Sequence, residues 1–175
     1  MRIISGTLGS RNFNAPKGHK THPMGDRIRV ALFNTLGDLS GKTILDAYAG
    51  SGALSFESIS RGAESALAID IDKNAYRTIN ENIKSLGVEN SVKAINANCK
   101  SWSNTAGEQS FDIIFCDPPY GKVDEEALNL LSKRLNSNGL MIISYQGRES
   151  APTVNGVVVV DSRIYGDAAL AFYRQ

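Results

Sequence analysis

A mostly parallel seven-stranded α/β sheet with helices on both faces is the architecture that this 175-residue sequence predicts, and three observations predict it. Short apolar runs alternate with segments of helical period from Thr43 to Tyr145, the order that builds parallel strands joined by crossover helices. The first of these runs leads into Gly50-Ser51-Gly52, a turn that lets a strand pass directly into a helix. The last two runs, 156–164 and 168–174, are separated only by Tyr165-Gly166-Asp167. That hairpin spacing adds an antiparallel C-terminal strand.

Each element follows from local pattern. Residues 2–16 read as two short strands around Gly6-Thr7-Leu8-Gly9-Ser10, a small N-terminal β-hairpin arm, and Lys17 to Thr21 form a polar loop. A helix runs from about Met24 to Leu36, with Ile28, Leu32, Phe33 and Leu36 on one face and Asp26, Arg27 and Arg29 largely on the others. Gly37 and Gly41 end it. The alternation then gives strand 43–48, helix 51–61 stopped by Gly62, strand 66–71, helix 73–86 stopped by Gly87, and strand 92–95. A short helix near Lys100 follows, then a strand ending at Asp117, a helix over about 124–135 and strand 139–145. The chain divides into a basic arm, 1–23, and one α/β domain, 24–175.

Bulk properties narrow the function classes. Hydrophobic residues make up 42% of the chain, enough for a sizeable core. No apolar run approaches the roughly 20 residues that cross a bilayer, and the N-terminus lacks the apolar core of a secretory signal. A cytoplasmic protein is expected. Cys99 and Cys116 give neither a disulfide framework nor a zinc spacing. Cys116 and Trp102 read as core, His19 and His22 as solvent- or phosphate-facing, and no metal site is expected.

The net charge of +1 hides an asymmetry. Residues 1–42 hold seven basic side chains, Arg2, Arg11, Lys17, Lys20, Arg27, Arg29 and Lys42, against Asp26 and Asp38. The remaining chain carries twelve basic and sixteen acidic residues. A basic N-terminal third on a mildly acidic body suits a polyanion, while a solvated loop and helix face gives the same pattern.

The strand ends carry the chemistry. Asp46-Ala47-Tyr48-Ala49-Gly50-Ser51-Gly52 places an acidic residue before the glycine turn, and Ser55 stands where a dinucleotide fingerprint has its third glycine. A pyrophosphate gains nothing from Asp46, whereas a cationic, amine-bearing ligand does. Asp70, ending the second strand about 20 residues after the turn, can accept both hydroxyls of a ribose. Asp72 reads as the cap of the next helix. Asn98 suits either an adenine edge or a helix cap. Tyr48, Ile71 and Cys99 neighbour these positions and complete the candidate cofactor set. The strand ends describe a nucleoside site with an amino-acid-like appendage and no phosphate, which S-adenosylmethionine fits better than NAD.

Asp117-Pro118-Pro119-Tyr120 closes the fourth strand. Neither proline has a backbone N–H, and Pro118 biases Asp117 toward an extended conformation. The carboxylate and nearby carbonyls can therefore accept hydrogen bonds from the N–H edge of a planar group.

With these motifs the chain resembles the class I S-adenosylmethionine-dependent methyltransferases, a Rossmann-like fold. Among them it resembles the bacterial 16S rRNA guanine-N2 methyltransferase family of the RsmD type. The resemblance runs through Arg2-Ile3-Ile4-Ser5-Gly6, Asp26-Arg27-Ile28-Arg29, Ala31-Leu32-Phe33-Asn34, Ala49-Gly50-Ser51-Gly52-Ala53-Leu54 and the Asp-Pro-Pro-Tyr segment. It departs at His22-Pro23-Met24, where the family typically has Arg-Pro-Thr, at Val30, often Glu, and at Asp70, typically Glu. The resemblance implies methyl transfer to an exocyclic base amine, with Asp117 accepting the amine hydrogens and Tyr120 stacking on the base. It also implies an RNA partner, 16S rRNA or an assembling small subunit, held by the basic arm, and a monomeric enzyme. Adenine N6 methylation of RNA or DNA shares the Asp-Pro-Pro-Tyr chemistry. A non-catalytic RNA-binding or assembly module is the alternative of another class.

Overall fold

The computed structural model describes residues 1–16, 24–119, 121 and 123–175. Lys17, His19, Lys20, His22 and Tyr120, singled out above, lie outside the described residues. The elements in order are α1 (Asp26–Leu36), β1 (Thr43–Asp46), α2 (Ala53–Ser60), β2 (Ser65–Asp70), α3 (Lys73–Leu86) and β3 (Val92–Asn96). They continue with α4 (Cys99–Thr105), β4 (Phe111–Cys116), α5 (Glu125–Ser132), β5 (Leu135–Gln146), β6 (Val158–Tyr165) and β7 (Ala168–Arg174).

The seven strands form one sheet in the order β3-β2-β1-β4-β5-β7-β6. The first five neighbours pair in parallel, while β7 runs antiparallel to both β5 and β6. The chain winds outward from β1 to β3, then returns to the other side of β1 with β4. The strand order therefore reverses between β1 and β4, and the crevice outside their carboxyl ends is where an open sheet of this kind binds ligands.

Alternation along the central strands sends side chains to two separate cores. Ile44, Ala66, Ala68, Ile113, Phe115 and Ile142 pack under Leu32, Phe33, Phe56, Ile79 and Ile83 of α1, α2 and α3. Leu45, Leu67, Ile69, Ile114, Cys116 and Ile143 pack under Trp102, Leu128 and Leu131 of α4 and α5. Helix starts are fixed by side chains: Asp72 accepts from the N–H groups of Asn74 and Ala75, and Asp124 from that of Ala127. The fifth strand begins at Leu135 and not at Gly139. Leu135 pairs with Phe111, the register shifts, and Leu140 resumes opposite Ile113, with Asn138 at φ 65° absorbing the irregularity.

The N-terminal hairpin shrinks to a single bridge between Arg2 and Asn12. Its two arms still exchange backbone bonds, from the Ile3 N–H to the Arg11 carbonyl at 2.9 Å and from the Phe13 N–H to the Met1 carbonyl at 3.0 Å, and the rest of the arm is bonded to helices. The Ile4 and Ser5 N–H groups donate to the Glu57 carboxylate at 2.7 and 3.2 Å, and the Thr7 N–H to the Ser60 carbonyl at 2.7 Å. Asn82 of α3 grips Asn14 at both its N–H and its C=O, each at 2.9 Å. Gly6 makes this docking possible. It sits at φ +84°, and a Cβ there would lie 1.8 Å from the Ser60 carbonyl oxygen. Ile3 and Phe13 join the first core.

Glu57 is fully buried and also accepts from Arg61 Nε at 2.8 Å. Removing its carboxylate would strand two backbone donors and a largely buried guanidinium. Glu57→Ala is expected to lower the unfolding free energy by about 3–5 kcal/mol, and Glu57→Gln by about 1–2 kcal/mol, in urea denaturation.

The basic side chains of this region divide. Arg2 and Arg27 are exposed. Arg11 donates to the carbonyls of Ser85 and Leu86 at 2.9 and 2.8 Å, capping the end of α3. Arg29 corrects the reading of it as an RNA-contacting or solvated side chain. It is completely buried, donating from one Nη to the Arg2 carbonyl at 2.8 Å and to Asp26 at 3.0 Å. The arm covers that face of α1, and burial lowers the guanidinium pKa from its ordinary value.

Candidate active site

The carboxyl ends of β1, β2 and β4, together with the start of α4, surround a cleft of about 1020 Å³. Strand periodicity explains why its acidic side chains gather there. Each strand runs apolar through the core and changes to Asp where it reaches the cleft: Asp46 after Leu45, Asp70 after Ile69, Asp117 after Cys116. Parallel registration of β1 with β2 and β4 brings the three ends side by side.

Asp46 is 2% exposed and accepts from the Ser55 N–H at 3.2 Å and its hydroxyl at 2.9 Å. This bond explains the serine in place of a third glycine: Ser55, in the first turn of α2, holds the carboxylate that a phosphate site would lack. Burial pushes the Asp46 pKa up to about 7, opposed by the two Ser55 bonds and assisted by the charges of Asp117 and Asp70. A carboxyl raised in this way keeps its proton in the folded protein after the unfolded chain has released it. Its contribution to stability is full below pH about 4 and is lost as pH rises through about 7. Asp46→Asn is therefore expected to raise the unfolding free energy above pH 8 by about 1–3 kcal/mol, measured without ligand, and to flatten its decline between about pH 4 and 7.

The turn after β1 is built around Gly50 and Gly52. The Gly50 N–H donates to Asp70 Oδ2 at 2.7 Å, tying the turn to the end of β2. Gly52 does not line the cleft. It caps α2 at φ +78°, and a Cβ there would meet the Phe56 ring at 2.7 Å. Asp70 accepts from the Asp72 N–H through Oδ1 at 2.8 Å. Both of its oxygens are thus oriented by backbone donors, with lone pairs left for a ligand on the cleft side. Burial raises its pKa, and these backbone donors oppose the rise.

Asp46, Tyr48, Gly50, Asp70, Ile71, Asn98, Cys99 and Asp117 all line the cleft. Ile71 presents a largely exposed apolar surface, 67% accessible. Asn98 caps α4, accepting from the N–H groups of Lys100 and Ser101, so its side-chain oxygen is engaged and its NH₂ is the group left for a ligand. Cys99 is buried, its thiol directed at the Ala47 carbonyl, and burial pushes its pKa up to about 12. It is a packing thiol and no nucleophile.

Asp117 is half-buried, Pro118 buried and Pro119 exposed, and all three face the cleft. Burial pushes the Asp117 pKa up to about 6, and the nearby Ser144 hydroxyl opposes the rise. Sequence reasoning did not assign Met24, Asp124 or Ser144 to the site. Met24 and Asp124 line the cleft, and Ser144 of the neighbouring strand lines a small recess together with Asp117. Only Asp124, as a helix-capping residue just after the proline turn, had a signal to find it by.

The donor set fits a nucleoside cofactor bearing a cationic, amine-containing tail. Asp70 presents two carboxylate oxygens oriented by backbone donors, Ile71 an exposed apolar surface, and Asp46 and Asp117 line the same cleft as further acceptors. Among the described residues no three His, Cys, Asp or Glu side chains group as metal ligands.

Comparisons with known proteins agree with this geometry. The family model described as Conserved hypothetical protein 95 matches residues 1–174. Ribosomal RNA small subunit methyltransferase D of Escherichia coli K12 is 32% identical over 158 residues, covering 88% of this chain and 79% of its own length. Bacillus subtilis YlbH is 31% identical over 182 residues, covering 100% of this chain and 99% of its own. The solved structure of Escherichia coli yhhF superposes with a TM-score of 0.87 at 30% identity, covering 100% of this chain and 97% of that one. A match over nearly the whole chain, joined to a switch-point cleft of this composition, establishes that the protein belongs to the RsmD-type family of ribosomal RNA methyltransferases.

Proposed function

We propose that the protein transfers a methyl group from S-adenosylmethionine to the exocyclic N2 amine of a guanine in small-subunit (16S) rRNA. The observation that carries this reading is the half-buried Asp117, which lines one cleft together with Pro118, Pro119, Asp46 and Asp70. In this reading Asp70 holds the ribose, Ile71 and Asn98 meet the adenine, and Asp46 and the Gly50 turn surround the amino-acid tail. Bound S-adenosylmethionine supplies an electrophilic methyl carbon and leaves as the neutral sulfide, keeping the bonding pair.

An exocyclic amine is a poor nucleophile because its lone pair is delocalised into the ring. Asp117 and the Pro118 carbonyl accept the amine hydrogens and localise that pair toward the methyl carbon. As the N–C bond forms the nitrogen becomes acidic, and Asp117 accepts the proton it sheds. Tyr120 stacks on the base. This is catalysis by positioning and electrostatics, and the base must first leave its stack. Arg2, Arg27, Lys17 and Lys20 face the surrounding phosphates from the arm of residues 1–23 and from α1, in a cytoplasmic, monomeric enzyme.

Incubation with labelled cofactor and unmodified small ribosomal subunits, followed by mass spectrometry of the nucleosides, tests the proposal. N2-methylguanosine is the expected product. N6-methyladenosine would overturn the base assignment, and absence of transfer would favour a binding or assembly role.

A further inference from the structure

We infer that Asn96 is a positioning residue for the cofactor side of the cleft, its side-chain amide clamping the turn that carries Asp70 and Ile71. The inference rests on the reading of those two residues as the ribose and base contacts of the cofactor. Asn96 ends β3 at the edge of the sheet, in parallel register with Asp70 at the end of β2. Beyond that rung the two chains part, β2 toward α3 and β3 toward α4. The Ala97 N–H still reaches the Asp70 carbonyl at 3.1 Å, and the Asn96 side chain continues the ladder where the strands have ended.

Asn96 Nδ2 donates to the Asp70 carbonyl at 2.9 Å and to the Ile71 carbonyl at 3.0 Å. Those two acceptors belong to the peptide groups on either side of the Ile71 Cα. An amide NH₂ has two hydrogens, so each peptide receives one. The amide oxygen would face two carbonyl oxygens in the same place, which settles the orientation of the side chain. With both peptide planes held, the backbone dihedrals of Ile71 are fixed, and the direction of its side chain with them.

The second of these peptides is held at its other end as well. The Asp72 N–H donates to Asp70 Oδ1 at 2.8 Å, and Asp72 in turn caps α3. The other Asp70 oxygen takes the Gly50 N–H at 2.7 Å. β3, α3 and the glycine turn therefore grip three consecutive residues, Asp70, Ile71 and Asp72, all of which line the cleft. Ile71 is largely exposed, so its direction is set by its own backbone more than by packing. An apolar surface already held in place loses little further freedom when a planar ligand covers it. Asn96 stands outside the cleft and acts through the turn.

Asn96→Ala is the test, with cofactor affinity measured by calorimetry and the motion of the turn by nitrogen-15 relaxation. Asn96 is exposed, so the substitution leaves the core intact. Two solvent-facing neutral hydrogen bonds are lost, and S-adenosylmethionine binding is expected to weaken about five- to tenfold. At saturating cofactor the transfer rate, and the KM for small subunits, should stay within about twofold of native. Without ligand, the order parameter of the Ile71 amide should fall from about 0.85 toward about 0.6. In an Ile71→Ala background the same substitution should weaken binding less than about threefold, because the side chain that it aims is gone. A cofactor affinity within about twofold of native in folded Asn96→Ala protein would overturn the inference, and so would an undiminished loss in the Ile71→Ala background.

The relaxation measurement separates the two proposals, because it needs neither cofactor nor RNA. A loosened Ile71 in Asn96→Ala, without any cofactor binding by the native protein, would sink the functional reading and spare the clamp. Cofactor binding by the native protein, with Ile71 equally rigid in Asn96→Ala, would do the reverse.

Discussion

Asp117→Ala is expected to reduce methyl transfer at least about a thousandfold while leaving S-adenosylmethionine affinity within about twofold. The carboxylate is asked to localise the lone pair of a conjugated amine and to take up its proton, contributions that exist only as the new bond forms. Removing an interaction of that kind lowers kcat without raising the ground-state binding constant. Asp117→Asn keeps an acceptor oxygen and the shape but loses the charge, so it should retain slightly more activity than Ala. Calorimetry with the cofactor and single-turnover transfer to small subunits measure the two quantities separately. Loss of cofactor binding in Asp117→Ala would move Asp117 from the acceptor side of the cleft to the cofactor side.

Asp70→Ala should show the opposite division. Its two oxygens are each oriented by a backbone N–H, from Gly50 at 2.7 Å and from Asp72 at 2.8 Å. The carboxylate ties the glycine turn against the end of β2, and in the proposed function it also accepts from the ribose. Hydrogen bonds to a charged group contribute about 1.5–3 kcal/mol each, so loss of the pair is expected to weaken cofactor binding at least about a hundredfold. At saturating cofactor the transfer rate should fall much less, since Asp117 is untouched. A dissociation constant that stays within a few-fold of native in calorimetry would remove Asp70 as the ribose partner.

Much of the candidate site was legible because it is built from local signals at strand ends. An apolar run that stops at an acidic residue announces where a buried strand leaves the apolar core, and this rule located Asp46, Asp70 and Asp117. The helix caps were legible for a similar reason, since Asp72 bonds to N–H groups two and three residues away. Gly52 was recognised as necessary, but its task differs from a cradle for a ligand: it makes room for Phe56. Arg29 misled. A helical wheel of α1 alone places a charged residue on a solvent face, and the arm that covers that face returns from 27 residues upstream to bond it. Glu57 was invisible as a structural residue for the same reason, because its partners Ile4 and Ser5 lie more than 50 residues away in the chain.

By itself the sequence determined the order of strands and helices, the parallel sheet with its antiparallel edge, and the acidic strand ends around a glycine turn. Those features rest on periodicity and on backbone sterics, which act over a few residues. Only the tertiary structure decided which polar side chains are buried and what each one holds. Arg29, Glu57 and Asn82 are ordinary polar residues in their own segments. Each becomes a fixed part of the molecule when a distant strand, helix or arm brings the partner that offsets its loss of water.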